Sequence, residues 1–359
     1  MSERLDELRE QIDEIDSEIV KQLEERARVV KEVGEIKKEH GMELYVPERE
    51  REILDRLEER SEGEFPVQSL KQIFREIIAT CLNLEKPVTV AYLGPEATFT
   101  HSAALKQFGR ASEFVPLETV SEVFDFVERE DVDFGIVPIE SSSEGAVRHT
   151  LDRFLESSLS IYSECFLMVD LHLIGRCEDR NDITTVYSHP QALAQSRDWI
   201  DRYLHDVEIQ ETNSTAEAAR IVSERDDAAA VASEVAAEVY DLNTMASNIE
   251  TEAESYTRFL VLSRQVPEPT GNDKTTIAFS VMDRPGALYE MLEPFGEREI
   301  NMTKIESRPS RHTTWDYTFF VDFIGHQQEE EVEELLSQLK SRSKYFKVLG
   351  SYPYQDPFN

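Results

Sequence analysis

The sequence predicts three successive domains: an all-α bundle of three helices, an α/β region, and a small α+β module of ferredoxin-like order. Three observations carry this. Residues 1–85 place apolar side chains at helical spacing and show no strand pattern. At Lys86-Pro87 the texture turns to short runs such as VTVAYLG, FGIVPIE and ITTVYSH alternating with helical stretches, the pattern of a parallel sheet. After the linker VPEPTGND (266–273), the order strand, helix, strand, strand, helix sets in.

The first predicted helix runs from Ser2 to Lys38 and ends near Gly41. At about 100° per residue, Leu5, Leu8, Ile12, Ile15, Ile19, Leu23, Val30 and Val33 fall within an arc of roughly 80°. Arg26 and Lys37 fall inside the same arc. A buried cation without a partner is costly. Two on one stripe point either to an anion held inside the bundle or to side chains that snorkel to its ends. The second helix opens with Pro47 in its first turn and runs to Arg60. The third, after SEGEFP, runs from Val67 to Leu84. Glu50 shares a face with Ile53, Leu54 and Leu57, and Glu85 edges the stripe of Ile73, Phe74, Ile77, Cys81 and Leu84. Two carboxylates therefore join the two cations, as internal ion pairs or as a binding site. Helices so unequal in length cannot bury their stripes alone, so an interlocked dimer is expected.

The C-terminal module reads as strand KTTIAFSV, turn MDRPG, helix ALYEMLEPFGERE, strands NMTKIESRP and TWDYTFFVDFIG, and helix EEEVEELLSQLKSR. The tail YPYQDPFN has no assignment.

Composition excludes several classes. The 359 residues carry 73 Asp+Glu against 38 Lys+Arg, a formal charge of −35, which argues against nucleic acid. No apolar run approaches the roughly 18 residues of a membrane span, and the charged start MSERLDELREQIDEID is no signal peptide. Cys81, Cys165 and Cys177 form no disulfide framework or zinc spacing, and the histidines show no metal-ligand pattern. A cytoplasmic protein without metal or cofactor is expected. Of the 38 basic residues only 12 are Lys, leaving 26 Arg. That balance fits a salt-rich cytoplasm, where surface repulsion is screened, or ordinary acidic drift.

LRE (8–10), ERAR (25–28), EVGEIKK (32–38), PEREREIL (47–54) and FREIIATCLNLE (74–85) resemble the all-helical chorismate mutases, in order and with matching spacing. The resemblance implies that Arg26, Lys37 and a partner subunit's Arg9 hold chorismate. Arg49 then lies beside the site, Glu50 accepts the ring hydroxyl, and Glu85 faces the ether oxygen. The chemistry agrees: a dianion needs fixed cations. A unimolecular rearrangement to prephenate needs only the compact conformer held and the ether oxygen's developing charge stabilised. Glu85 departs from relatives that have Gln there and would have to be protonated to donate. Val46 and Cys81 stand where some relatives have Asp and Ser.

GPEATFTHSAA (94–104), VPIESSSEGAV (137–147), VYSHPQALAQ (186–195), NSTAEAA (213–219) and ESYTRFLVL (254–262) look like the prephenate dehydratase signature. That resemblance implies two lobes, as in periplasmic binding proteins, with the site in the cleft. It implies Thr257 as the hydroxyl nearest the leaving group, acting as hydrogen-bond donor or proton relay, with Ser188 and Gln195 lining the site. Arg258 is then a structural or carboxylate-binding cation. Ser141 stands where relatives have Asn and lacks that amide's two donors, a loss that Ser142 and Ser143 could offset.

DRPGALYEML (283–292) and NMTKIESRPSR (301–311) resemble the ACT domain of phenylalanine-regulated dehydratases. The implied effector residues are Gly286, Ala287, Leu288, Tyr289, Asn301, Glu306, Ser307, Arg308 and Pro309. The glycine at the turn would let backbone amides approach an amino-acid carboxylate.

The expectation is a bifunctional enzyme with domains at 1–86, 87–266 and 274–354. Chorismate and prephenate are its substrates, L-phenylalanine its inhibitor, and a homodimer or a higher oligomer its form. Two alternatives are an arogenate dehydratase, against which the fused mutase argues, and a non-catalytic amino-acid sensor, which only Ser141 favours.

Overall fold

The computed structural model describes residues 2–40, 47–60, 63–143, 145–177, 179–251, 255–309 and 317–356. It forms two compact units: Met1–Val88 with Phe108–Glu113, and Thr89–Gln107 with Phe114–Asn359.

The first unit is helical. It contains α1 (Ser2–His40), α2 (Pro47–Arg60) and α3 (Val67–Glu85). Gly34 is buried where α1 meets α3, and a Cβ there would lie 3.0 Å from Cβ and Cγ of Glu85. Glycine is therefore what permits this close approach. Leu54, Ala79, Cys81 and Leu82 are buried, but the N-terminal part of the α1 stripe is not. Leu5, Leu8, Ile12, Ile15 and Ile19 remain 41–58% exposed within one chain.

The second unit begins with β1 (Thr89–Leu93), α4 (Phe99–Phe108), β2 (Glu113–Leu117), α5 (Val120–Glu128) and β3 (Phe134–Ser141). The short β4 (Gly145–Ala146), α6 (Arg148–Glu156) and β5 (Ser160–Met168) follow. The chain then crosses to β6 (His172–Gly175), β7 (Thr185–Ser188), α7 (Pro190–Gln195) and α8 (Arg197–Tyr203). Next come β8 (Glu208–Glu211), α9 (Thr215–Val222), β9 (Ala228–Ala232), α10 (Glu234–Val239) and β10 (Asn243–Ala246), before β11 (Tyr256–Ser263) returns. One sheet has the order β2-β1-β3-β11-β5 and the other β10-β6-β9-β7-β8, giving the two lobes. The expected parallel sheet is in fact mixed. β1 and β3 are parallel, but β11 enters from the other lobe and runs antiparallel to both β3 and β5.

The C-terminal module contains β12 (Asp273–Ser280), α11 (Ala287–Glu297), β13 (Met302–Pro309), β14 (Tyr317–Ile324), α12 (Glu330–Arg342) and β15 (Tyr345–Pro353). Its sheet order is β13-β14-β12-β15. The sequence reading stopped at α12. β15 completes a βαββαβ unit and takes in the start of the unassigned tail, with Tyr352 fully buried. Ala278, Phe320, Leu349 and Tyr352 share one core with Phe124, Phe154, Ile161 and Leu260 of the first lobe, so module and lobe are packed as one body. Among the described residues no helix is long and apolar enough to cross a membrane, and no cluster of His, Cys, Asp and Glu could hold a metal.

Candidate active and effector sites

In the helical unit, three of the charged residues singled out from the sequence come together. Lys37 Nζ lies 3.7 Å from Glu85 Oε2, and the Glu85 side chain is 8% exposed. Burial pushes the Glu85 carboxyl above its ordinary value, against the opposing pull of Lys37 and Arg26. Arg26 Nη1 is buried without a hydrogen-bond partner among the described residues, and so is Glu85 Oε2. A buried donor left unmet costs roughly 1–3 kcal/mol, more when charged. The cluster is thus suited to receive an oxygen-rich anion.

The other predicted positions behave differently. Arg9 is exposed and lies 3.7 Å from Asp6. At roughly 1.5 Å of rise per residue it is about 26 Å from Arg26 along the same helix. Arg49 is exposed and bonds Glu52 at 2.6 Å. The Glu50 side chain and Val46 lie outside the described residues.

In the two-lobed region, Thr257 on β11 sits in register with Ser141 on β3 and with Leu167 on β5. Its hydroxyl makes no side-chain hydrogen bond among the described residues. Ser141 Oγ lies 3.0 Å from Ser143 Oγ. Ser142 accepts the Tyr256 N–H on its hydroxyl at 3.0 Å and donates its own N–H to the Tyr256 carbonyl at 2.9 Å. From the opposite lobe, α7 contributes Gln195 Nε2, which donates to Ser255 Oγ at 3.4 Å, and Gln191 Nε2, which donates to Ser143 Oγ at 2.9 Å. Thr257 and Ser141 are therefore neighbours, and Gln195 reaches the same strand end through Ser255. Ser188 is fully buried at the end of β7, and its hydroxyl donates to the Val231 carbonyl at 2.6 Å, fastening the strand that leads into α7.

Arg258 points elsewhere. Successive strand residues face opposite sides, and its guanidinium is 7% exposed among groups of the C-terminal module and β5. Nε donates to Glu164 at 2.8 Å, Nη1 to Asp322 at 2.6 Å and Nη2 to the Tyr352 hydroxyl at 2.9 Å. Lys274 bonds the same Glu164 at 2.8 Å, and Thr276 joins Asp322 to Tyr352. Burial opposes the arginine's charge, but Asp322 and Glu164 hold its pKa well above the ordinary value. Each of its three nitrogens bonds a protein group, an arrangement that favours the structural reading of Arg258 over the carboxylate-binding one.

The effector motifs also divide between two faces. Gly286 caps α11 at φ +82°, a left-handed conformation that favours glycine, and its carbonyl accepts the Glu290 N–H. Ala287 is buried, Leu288 half-buried and Tyr289 67% exposed. The Asn301 carbonyl accepts the Ile324 N–H. Along β13 burial alternates: Ser307 and Pro309 are exposed, whereas Glu306 and Arg308 are half-buried. Arg308 reaches Asp152 of α6 at 2.7 Å.

Some participants were not read from the sequence. Gly34 has no signal beyond its place in EVGEIKK. Gln191 could have been found, since HPQALAQ puts two glutamines four residues apart on one helix face.

Three family models match in succession: chorismate mutase type II over residues 8–86, prephenate dehydratase over 90–267 and the ACT domain over 275–341. A bifunctional chorismate mutase/prephenate dehydratase of Aquifex aeolicus is 49% identical over 355 residues, covering 98% of each chain. Among solved structures, a prephenate dehydratase of Arthrobacter aurescens in complex with L-Phe aligns with TM-score 0.69 and 35% identity. That alignment covers 75% of this chain and 91% of the other. GqqA, described as a novel type of quorum-quenching acylase, aligns with TM-score 0.68 and 28% identity over 75% and 98%. The fold by itself therefore hosts more than one chemistry.

Proposed function

Because the chain belongs to the family of bifunctional chorismate mutase/prephenate dehydratases, a match that spans all three of its regions, we propose that it carries chorismate through prephenate to phenylpyruvate at two separate sites and is inhibited by L-phenylalanine. The observation that carries the first step is Arg26 Nη1, buried and without a hydrogen-bond partner among the described residues, in the cluster with Lys37 and Glu85. Lys37 and protonated Glu85 donate to the ether oxygen as it gains charge, while Arg26 holds a carboxylate. No nucleophile is required.

The distance along α1 supports assigning Arg9 to the site of a second chain, in a homodimer whose subunits cover each other's α1 stripes. Arg49 lies beside the mutase site, and Glu50 accepts the ring hydroxyl. In the dehydratase cleft, Thr257 assists departure of the hydroxyl, with Ser141 and Gln195 as binding groups and Ser142 and Ser143 supplying donors beside Ser141. Loss of carbon dioxide and hydroxide together leaves an aromatic ring, which drives the step. Phenylalanine binds at Gly286–Tyr289, Asn301 and Glu306–Pro309 in a paired module. Domain limits of 1–86, 87–266 and 274–354, a cytoplasmic location and the absence of any cofactor belong to the same reading.

The test is to give the purified full chain chorismate and to quantify prephenate and phenylpyruvate with and without phenylalanine. Phenylpyruvate should form and should fall when phenylalanine is added. Prephenate accumulating alone would overturn the dehydratase assignment and point first to Ser141. Unconsumed chorismate would overturn the mutase assignment.

A further inference from the structure

Strand β13 presents two cations to the dehydratase lobe, and each finds a carboxylate at one end of a short segment of that lobe. Lys304 Nζ lies 2.7 Å from Glu140 Oε2, and Arg308 Nη1 lies 2.7 Å from Asp152 Oδ1 while also donating to the Arg148 carbonyl. Lys304 and Arg308 are 19% and 14% exposed, so water screens these pairs less than it would surface pairs. Glu140 and Asp152 bracket the stretch that turns from β3 through β4 into α6. Within it Ser141 and Gly145 face each other across the hairpin.

The same carboxylate also touches the catalytic strand. Glu140 is in register with Arg258, its Oε2 is 4.0 Å from Arg258 Nη1, and the next pair along is Ser141 with Thr257. β13 is paired with β14 in continuous register from Lys304 to Pro309, so these residues are held together as one strand. Its exposed face carries Ser307 and Pro309 of the effector motif, and its inward face carries Lys304, Glu306 and Arg308. The joint has slack. A cavity of about 20 Å³ lies among Arg258, Lys304, Glu306 and Asp322, room for about one water molecule.

We propose that Lys304–Glu140 and Arg308–Asp152 form a two-point latch that transmits effector occupancy on β13 to the Ser141–Thr257 end of the dehydratase cleft. The proposal rests on the reading of the C-terminal module as the phenylalanine site. Effector binding shifts β13, the latch residues shift with it, and the Glu140–Ser141 segment is drawn out of register with Thr257. Coupling of this kind requires an element with two arrangements that both sites bias, and the latch is that element.

The experiment uses the full chain and three variants: Lys304→Gln, Asp152→Asn, and the charge swap Lys304→Glu with Glu140→Lys. Phenylalanine binding is measured directly by calorimetry, dehydratase inhibition by titration, and mutase rate on the same samples as a check of folding. In the two single variants, binding should stay within about twofold while the half-inhibiting concentration rises about tenfold or more, the size of a typical allosteric coupling. The charge swap should restore inhibition. By reciprocity, prephenate should weaken phenylalanine binding in the parent more than in the single variants.

Inhibition unchanged in both single variants would overturn the latch. So would loss of basal dehydratase activity in both, which would make the pairs a structural clamp. A parent chain that fails to bind phenylalanine would overturn the effector reading itself, and the latch with it.

Discussion

Gly34 and Glu85 show how much rests on single atoms. The glycine contributes nothing chemical, yet a methyl group there would press on Glu85 Cβ and Cγ at 3.0 Å. Gly34→Ala should help α1 as a helix by about 1 kcal/mol. It should nonetheless lower the mutase rate about tenfold, because displacing a reacting group by around an ångström is costly. The dehydratase rate of the same preparation should not change, and assaying both activities checks this. Glu85 sets the direction of the pH response. Burial raises its pKa, so the protonated donor survives to higher pH than for a glutamate in water. Mutase activity should therefore rise as pH falls through that raised value. In Glu85→Gln, whose amide donates at every pH, the rise should vanish while activity is kept. A parallel pH profile in the two proteins would refute the donor role.

At the level of elements, α1 is too long for the bundle it belongs to. Its C-terminal turns pack on α3 through Gly34, while its N-terminal turns leave apolar side chains 41–58% exposed. Ile15→Glu on that stripe should convert the proposed dimer to monomer and abolish mutase turnover with dehydratase turnover kept. Size-exclusion chromatography with light scattering, beside the two assays, reads both effects. A variant that remains dimeric and active would show that the stripe is not the contact between subunits. The same helix explains why part of the candidate mutase site was legible from sequence. Arg26 and Lys37 break an apolar period inside one continuous helix, so the anomaly is local. β11 was less legible. Thr257 and Arg258 read as one motif, but the pleat sends them to opposite faces. The arginine's partners Glu164 and Asp322 lie 94 and 64 residues away, a distance no local pattern spans.

For the whole molecule, the succession of helical, α/β and α+β regions was readable because hydrophobic periodicity changes at Lys86 and again after residue 273. What sequence left out was closure: β15 after the last helix, the mixed rather than parallel sheet, and the core shared between the C-terminal module and the first lobe. Each depends on which distant segments meet. The shared core also changes how regulation is to be understood. Module and lobe are not beads on a flexible linker, because Tyr352 at the end of the last strand is buried against Arg258.

The span of α1 between Arg9 and Arg26 has a consequence for how the two activities respond to dilution. On the proposed pairing, a mutase site that borrows Arg9 from a second chain obeys second-order mass action, whereas the proposed dehydratase site lies within one chain. The ratio of prephenate made to prephenate consumed then depends on how much of the polypeptide is present. At low abundance the chain draws down prephenate supplied by other enzymes. At high abundance it supplies its own, so the proposed pairing predicts that mutase output per chain falls on dilution while dehydratase output does not.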